Sequence, residues 1–229
     1  MNIFQTNLDN SRLMNAIIEL DECLKKMGKE PFDLNVVGGF ALIVRGIRSD
    51  VDQVTDVDYI GSDLSQNVKD VADTIGIKYG VGRGWINNDL MLTGTTLKDI
   101  EFATGPLHFT DGVDLSVIRL KILEPTDLLR MKLISLDTSL SAVEFGGDFT
   151  RMKDLDDIIR LKNYLGYDYI QMEEEAEGYL MSDFVFDTIS AYEVGGYQQV
   201  LSLIREIQTS ANMINEVDQI LKEEGEFIR

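Results

Sequence analysis

Basic side chains are scarce in this 229-residue chain, with 21 Lys and Arg against 40 Asp and Glu and a net charge of −19. Such a surface repels phosphate backbones and argues against general nucleic-acid binding, although a local basic groove can persist within it. There is a single cysteine, Cys23, so no internal disulfide can form, and its helical context suits a small hydrophobe. His108 is the only histidine, which excludes mechanisms built on a His pair and, with one Cys, a Cys/His zinc site. No apolar run approaches the roughly 18 residues needed to cross a bilayer, so no membrane association is expected. The opening MNIFQTNLDNSR has neither a basic n-region nor an apolar h-region, and a cytoplasmic location is the expectation.

What is present is a globular composition, 44% hydrophobic and 27% charged. The length suits a catalytic domain of about 120 to 150 residues with a helical appendage. The shortage of basic residues is concentrated at the end: residues 164–229 carry 3 basic and 14 acidic side chains. Solubility and a surface built for a basic partner both account for that bias.

Leu13, Ile17, Leu20 and Leu24 recur at helical spacing after a cap at Asp9 or Ser11, predicting a helix over 11–27. Leu34 to Val37 reads as a buried strand running into Gly38-Gly39, and Phe40 to Val44 as a short helix. Residues 54–60 alternate as a strand does, and 63–76 give another helix. YGVGRGWINND reads as a loop. Residues 107–110 and 113–123 are strand candidates with a turn at Asp111-Gly112. From Pro125 onward helices are expected over 126–137, 151–165, 170–190 and 197–224. The expected organisation is α+β: a mixed-sheet core over 1–124 with flanking helices, then a helical C-terminal domain over 125–229.

Chemistry concentrates in VVGGFALIVRGIRSDVDQVTDVDY, residues 36–59. On a strand, side chains two apart share a face, so Asp56 and Asp58 are expected to project together. Paired carboxylates repel unless a cation sits between them, and Mg²⁺ commonly binds through one or two carboxylates plus substrate phosphates. Glycines without Cβ let a ligand approach the backbone at Gly38-Gly39, where a helix start offers free N–H groups to a triphosphate.

With strand, Gly-Gly, helix, strand and Asp-x-Asp in this order, residues 30–165 resemble the nucleotidyltransferase superfamily typified by DNA polymerase β. GGFAL, TDVDY, LLRMKL and RMKDLDDI are similar to the bacterial branch that includes abortive-infection toxins of toxin–antitoxin systems. That resemblance implies a nucleotidyltransferase-type sheet, Mg²⁺ or Mn²⁺ on Asp56 and Asp58, and a nucleoside triphosphate bound with help from Gly38, Gly39, Thr55 and Lys132. It also implies catalytic roles for Lys132 and Asp154 within a motif that includes Arg151, Lys153 and Asp157. A shared helix face for Arg151, Asp154 and Asp157 is equally the spacing of an ion-pair ladder. A third carboxylate is implied as well. Asp114 has the best strand context, with Glu101 and Asp89 as alternatives, and Gln53 stands where the pattern often has a basic residue.

Trp85 reads as core packing ahead of base stacking. The implied reaction moves a nucleoside monophosphate from a triphosphate to a hydroxyl on a tRNA end, a protein or a small cationic molecule; an antitoxin partner is also implied. The alternative is a catalytically silent nucleotide-binding or interaction protein.

Overall fold

The computed structural model describes residues 11–50, 54–89, 97–180 and 182–226. They form an α+β architecture with one five-stranded mixed sheet and flanking helices. Two compact units divide within one helix, the first comprising Met1–Leu128 and the second Leu129–Arg229.

The first unit opens with α1 (Arg12–Lys26), capped by Ser11, whose hydroxyl accepts the Met14 N–H at 3.5 Å. Its apolar stripe, Leu13, Ile17, Leu20 and Leu24, is fully buried. Next come β1 (Phe32–Val36), α2 (Gly38–Val44), β2 (Val57–Ile60), α3 (Gln66–Tyr79), β3 (Ile86–Asn87), α4 (Leu97–Thr104), β4 (Phe109–Asp114) and β5 (Ile118–Leu123). Strand order is β3-β2-β1-β5-β4, with β1 parallel to β5, β2 parallel to β3, and the pairs β1–β2 and β4–β5 antiparallel. Leu34, Val36, Leu120 and Ile122 alternate onto one apolar face, while Asp33, Asn35, Arg119 and Lys121 share the other. α1 packs on α3, and α2 packs on β2 and β5.

The β4–β5 connection differs from expectation. β4 runs straight through Asp111 and Gly112, and the chain reverses instead over Leu115–Val117, where the Leu115 N–H reaches the Ile118 carbonyl at 3.1 Å. Gly112 serves the strand: a Cβ there would lie 2.9 Å from Ile122 Cδ1, and the register shifts between Asp111 and Asp114. The true turn is held by Asp21 of α1. Its buried carboxylate accepts the N–H groups of Ser116, Val117 and Ile118 at 3.0, 2.7 and 2.7 Å.

The second unit holds most of α5 (Pro125–Glu144), then α6 (Met152–Leu165), α7 (Tyr169–Ala176) and α8 (Val185–Glu226). Leu133, Leu136, Leu140, Leu155, Ile158, Leu161, Ile189 and Ile204 are among its buried side chains. The helix expected over 170–190 is two, because the chain breaks after Ala176 with Gly178 at φ +81°. The helix expected from 197 joins the one before it through a kink at Gly196. Among the described residues no helix is long and apolar enough to cross a membrane.

Candidate functional site

β1 delivers the chain to Gly38, which adopts a left-handed φ of +68° and begins α2. The returning strand β2 lies antiparallel to β1, and the Val37 N–H donates to the Asp58 carbonyl at 2.9 Å. Asp58 is therefore seated directly under the turn. A Cβ on Gly38 would fall on the Asp58 carboxylate, with Cγ 3.2 Å and Cβ 3.3 Å away. Both the backbone angle and the space require glycine there. Gly39 is under weaker demand, since a Cβ on it would meet Val54 Cγ2 at 3.4 Å, an ordinary contact.

Asp56 does not share a strand with Asp58. β2 begins at Val57 because β1 gives way to α2 at Gly38 and offers no further partner, so Thr55 and Asp56 precede the strand, both exposed. Alternation does hold from Val57 to Tyr59, whose buried side chains flank the half-buried Asp58. Burial pushes the Tyr59 phenol up to about 12.

Two neighbours of this turn were not singled out in the sequence. Asn87 of β3 pairs in register with Asp58 and so shares its face. Arg48, in the loop between α2 and β2, brings Nη1 within 3.8 Å of where a Gly39 Cβ would stand, and forks onto Asp50 at 3.1 and 3.2 Å. A cationic residue in the loop leading to the Asp-x-Asp segment was the signal available for it.

Asp114 is not brought to Asp58. The register places Asp114 opposite Arg119 and Arg119 opposite Asp33, whereas Asp58 lies level with Val37, Leu123 and Phe109. Three strand spacings and four residues separate them, roughly 14 Å across the sheet and 13 Å along it. The strand context that favoured Asp114 said nothing of which end of the sheet it reaches. Asp89 is exposed just beyond β3, its N–H on Asn87 Oδ1 at 3.3 Å, and Glu101 is half-buried on α4. Among the described residues no three His, Cys, Asp or Glu side chains converge as a metal cluster.

Lys132 and Asp154 meet within the second unit. The Lys132 ammonium on α5 contacts Asp154 Oδ1 at 2.6 Å and Asp157 Oδ2 at 2.9 Å, both on α6. These carboxylates are 1% and 3% exposed, and the one ammonium bridges both. Asp154 Oδ2 has no hydrogen-bond partner, and Arg151 Nη1 stands off at 3.8 Å. Burial disfavours the ammonium, but the two carboxylates outweigh it and hold the Lys132 pKa above that of an ordinary lysine. Lys153 is exposed.

Trp85 is core: it is 1% exposed and its indole N–H donates to the Ala72 carbonyl at 2.7 Å. His108 turns Nδ1 toward Asp127 Oδ2 at 3.0 Å, and that buried carboxylate also accepts the His108 backbone N–H at 2.6 Å. Compared with protein-family models, with curated proteins and with solved structures, the chain shows no match.

Proposed function

We propose that this chain is a metal-dependent nucleotidyltransferase of the DNA polymerase β type, moving a nucleoside monophosphate from a triphosphate to a hydroxyl acceptor with release of pyrophosphate. The observation that supports it is the seating of the Asp58 carboxylate against a Gly38 that tolerates no side chain. A carboxylate held at a strand-to-helix turn, with the exposed Asp56 two residues away, is a donor set of hard oxygens. It suits Mg²⁺ or Mn²⁺. Asp56 and Asp58 would hold the cation, which when bound would supply charge neutralisation at the phosphate and a lowered pKa for the attacking hydroxyl.

The chain's own residues do the positioning. Gly38 and Gly39, both half-buried, add no side chain to the turn where a triphosphate would approach, and Asn87 beside Asp58 offers an amide for orienting the carboxylate or the ligand. Arg48, paired with Asp50, stands beside the turn. Lys132 and Asp154 act within the second unit, where with Asp157 their ion pair holds α5 against α6.

Label transfer tests the proposal. The chain is incubated with each α-labelled triphosphate, Mg²⁺ and separate pools of tRNA, protein and cationic hydroxyl compounds. Transfer to one pool that vanishes in Asp58→Asn supports it. Triphosphate binding with no transfer to any pool favours a nucleotide-binding protein without turnover.

A further inference from the structure

Toward the start of α8, Gly196 takes φ +60° and ψ −155°, outside the helical region, and the helix bends there into two unequal halves, 185–195 and 197–226. Tyr192 and Tyr197 brace the bend with ring centroids 5.3 Å apart. Between the halves is a groove of about 320 Å³ lined by Asp187, Ala191 and Val194 on one wall and by Gln199, Leu203 and Glu206 on the other. These positions follow helical spacing on both walls, so each half turns one stripe into the groove.

Ala191, Val194 and Leu203 give the groove its apolar surface, with Ser190 and Gln199 as its neutral polar groups, and Val194 is left 85% exposed. Asp187 and Glu206, the lining residues farthest from the bend, bring one carboxylate from each wall. A groove of this size admits one or two side chains rather than a whole helix. It is matched by a side chain with an apolar stem and a cationic planar head, which is arginine.

We propose that this groove docks a basic helical segment of a partner protein, anchored by an arginine whose stem lies on Ala191, Val194 and Leu203 and whose guanidinium meets Asp187 and Glu206. Charge complementarity selects that occupant. Residues 185–226 carry eight acidic and two basic side chains, and the chain as a whole is at −19. A second copy of the chain would bring like charge to a mouth already flanked by carboxylates. The inference is independent of the nucleotide chemistry.

The test is fluorescence anisotropy on the full chain with a labelled synthetic helix of Ala, Leu and Arg, and a matched helix carrying neutral citrulline in place of each Arg. The arginine helix is expected to bind at least about tenfold more tightly, the size of a charge-assisted bidentate contact. That advantage should disappear in the Asp187→Asn/Glu206→Gln double variant. Ala191→Arg, which fills the groove from within, should abolish binding. Val194→Ser, at an exposed position where folding is not at stake, should weaken it severalfold. Wild-type affinity in both the double variant and Val194→Ser would assign the binding to the acidic surface at large and overturn the proposal. Sedimentation showing a wild-type dimer that Ala191→Arg dissociates would also overturn it, by making a second copy the occupant.

Discussion

Replacing Gly38 by Ala adds one methyl group at the point where turn and carboxylate meet, and its consequences divide into two separable parts. The left-handed φ of +68° is disfavoured for any residue with a Cβ by roughly 1–2 kcal/mol. The methyl also lands on the Asp58 carboxylate, which must leave its rotamer at a cost of about 0.5–1.5 kcal/mol. Gly38→Ala is therefore expected to lose about 2–3 kcal/mol in urea denaturation followed by circular dichroism. Asp58→Ala removes the colliding oxygen and Cγ but leaves the backbone angle and the Cβ at 3.3 Å, so in the double variant the backbone part and a smaller steric part should remain. The cycle should return a favourable coupling of about 1 kcal/mol. Gly39→Ala is the control, expected within about 0.5 kcal/mol of wild type because its Cβ meets Val54 at an ordinary distance. A Gly38→Ala protein as stable as wild type, or a cycle with no coupling, would refute the close approach of Asp58 to the turn.

Asp21→Ala leaves three N–H groups of the β4–β5 turn without an acceptor and should cost about 2–4 kcal/mol by the same denaturation assay. Lys132→Met removes the ammonium paired with the two buried carboxylates of Asp154 and Asp157 and should cost about 3–5 kcal/mol, whereas adding Asp154→Asn and Asp157→Asn to it should recover part of that loss. Lys132 and Tyr59 both have pKa values raised by folding. Their stabilisation is complete below the ordinary lysine and tyrosine values of about 10 and fades as pH climbs through the higher folded values. The melting temperature should accordingly drop steeply above pH ~10, and less steeply in Lys132→Met. Trp85→Phe, losing the bond to the Ala72 carbonyl, should destabilise by about 1–3 kcal/mol, detectable as a lower thermal midpoint.

Local signals were legible where a periodicity or a glycine carried them. The stripe from Leu13 to Leu24 gave α1 to within a residue at either end, and Gly38-Gly39 marked the passage from β1 to α2. What failed depended on pairing partners. Nothing in VTDVDYI reveals that β1 ends too early to pair with its first three residues, so Asp56 looked like a strand residue and is not. Asp111-Gly112 has turn chemistry, but Asp21, far off in the chain, binds the N–H groups of a different turn. β3 escaped notice because two residues carry no alternation, yet it sets Asn87 beside Asp58. At the candidate site, the sequence marked Gly38-Gly39 as room for a triphosphate and Asp58 as a metal ligand but not the close approach of one to the other, and the resemblance named Lys132 and Asp154 without the ion pair that joins them. That Asp114 lies at the other end of the sheet follows from register, which alternation cannot supply. The split of 170–190 was marked by Gly178, whose positive φ ends helical geometry.

The central claim is that Asp58, beside the Gly38 turn, holds a divalent cation together with a triphosphate. It is tested most directly by calorimetric titration of the full chain with a non-hydrolysable triphosphate, in Mg²⁺ and in chelator, for wild type and Asp58→Asn. The account predicts saturable binding that requires Mg²⁺ in the wild type and disappears in Asp58→Asn, with the variant retaining its helical circular dichroism. Binding of equal strength in Asp58→Asn, or binding indifferent to Mg²⁺, would contradict it.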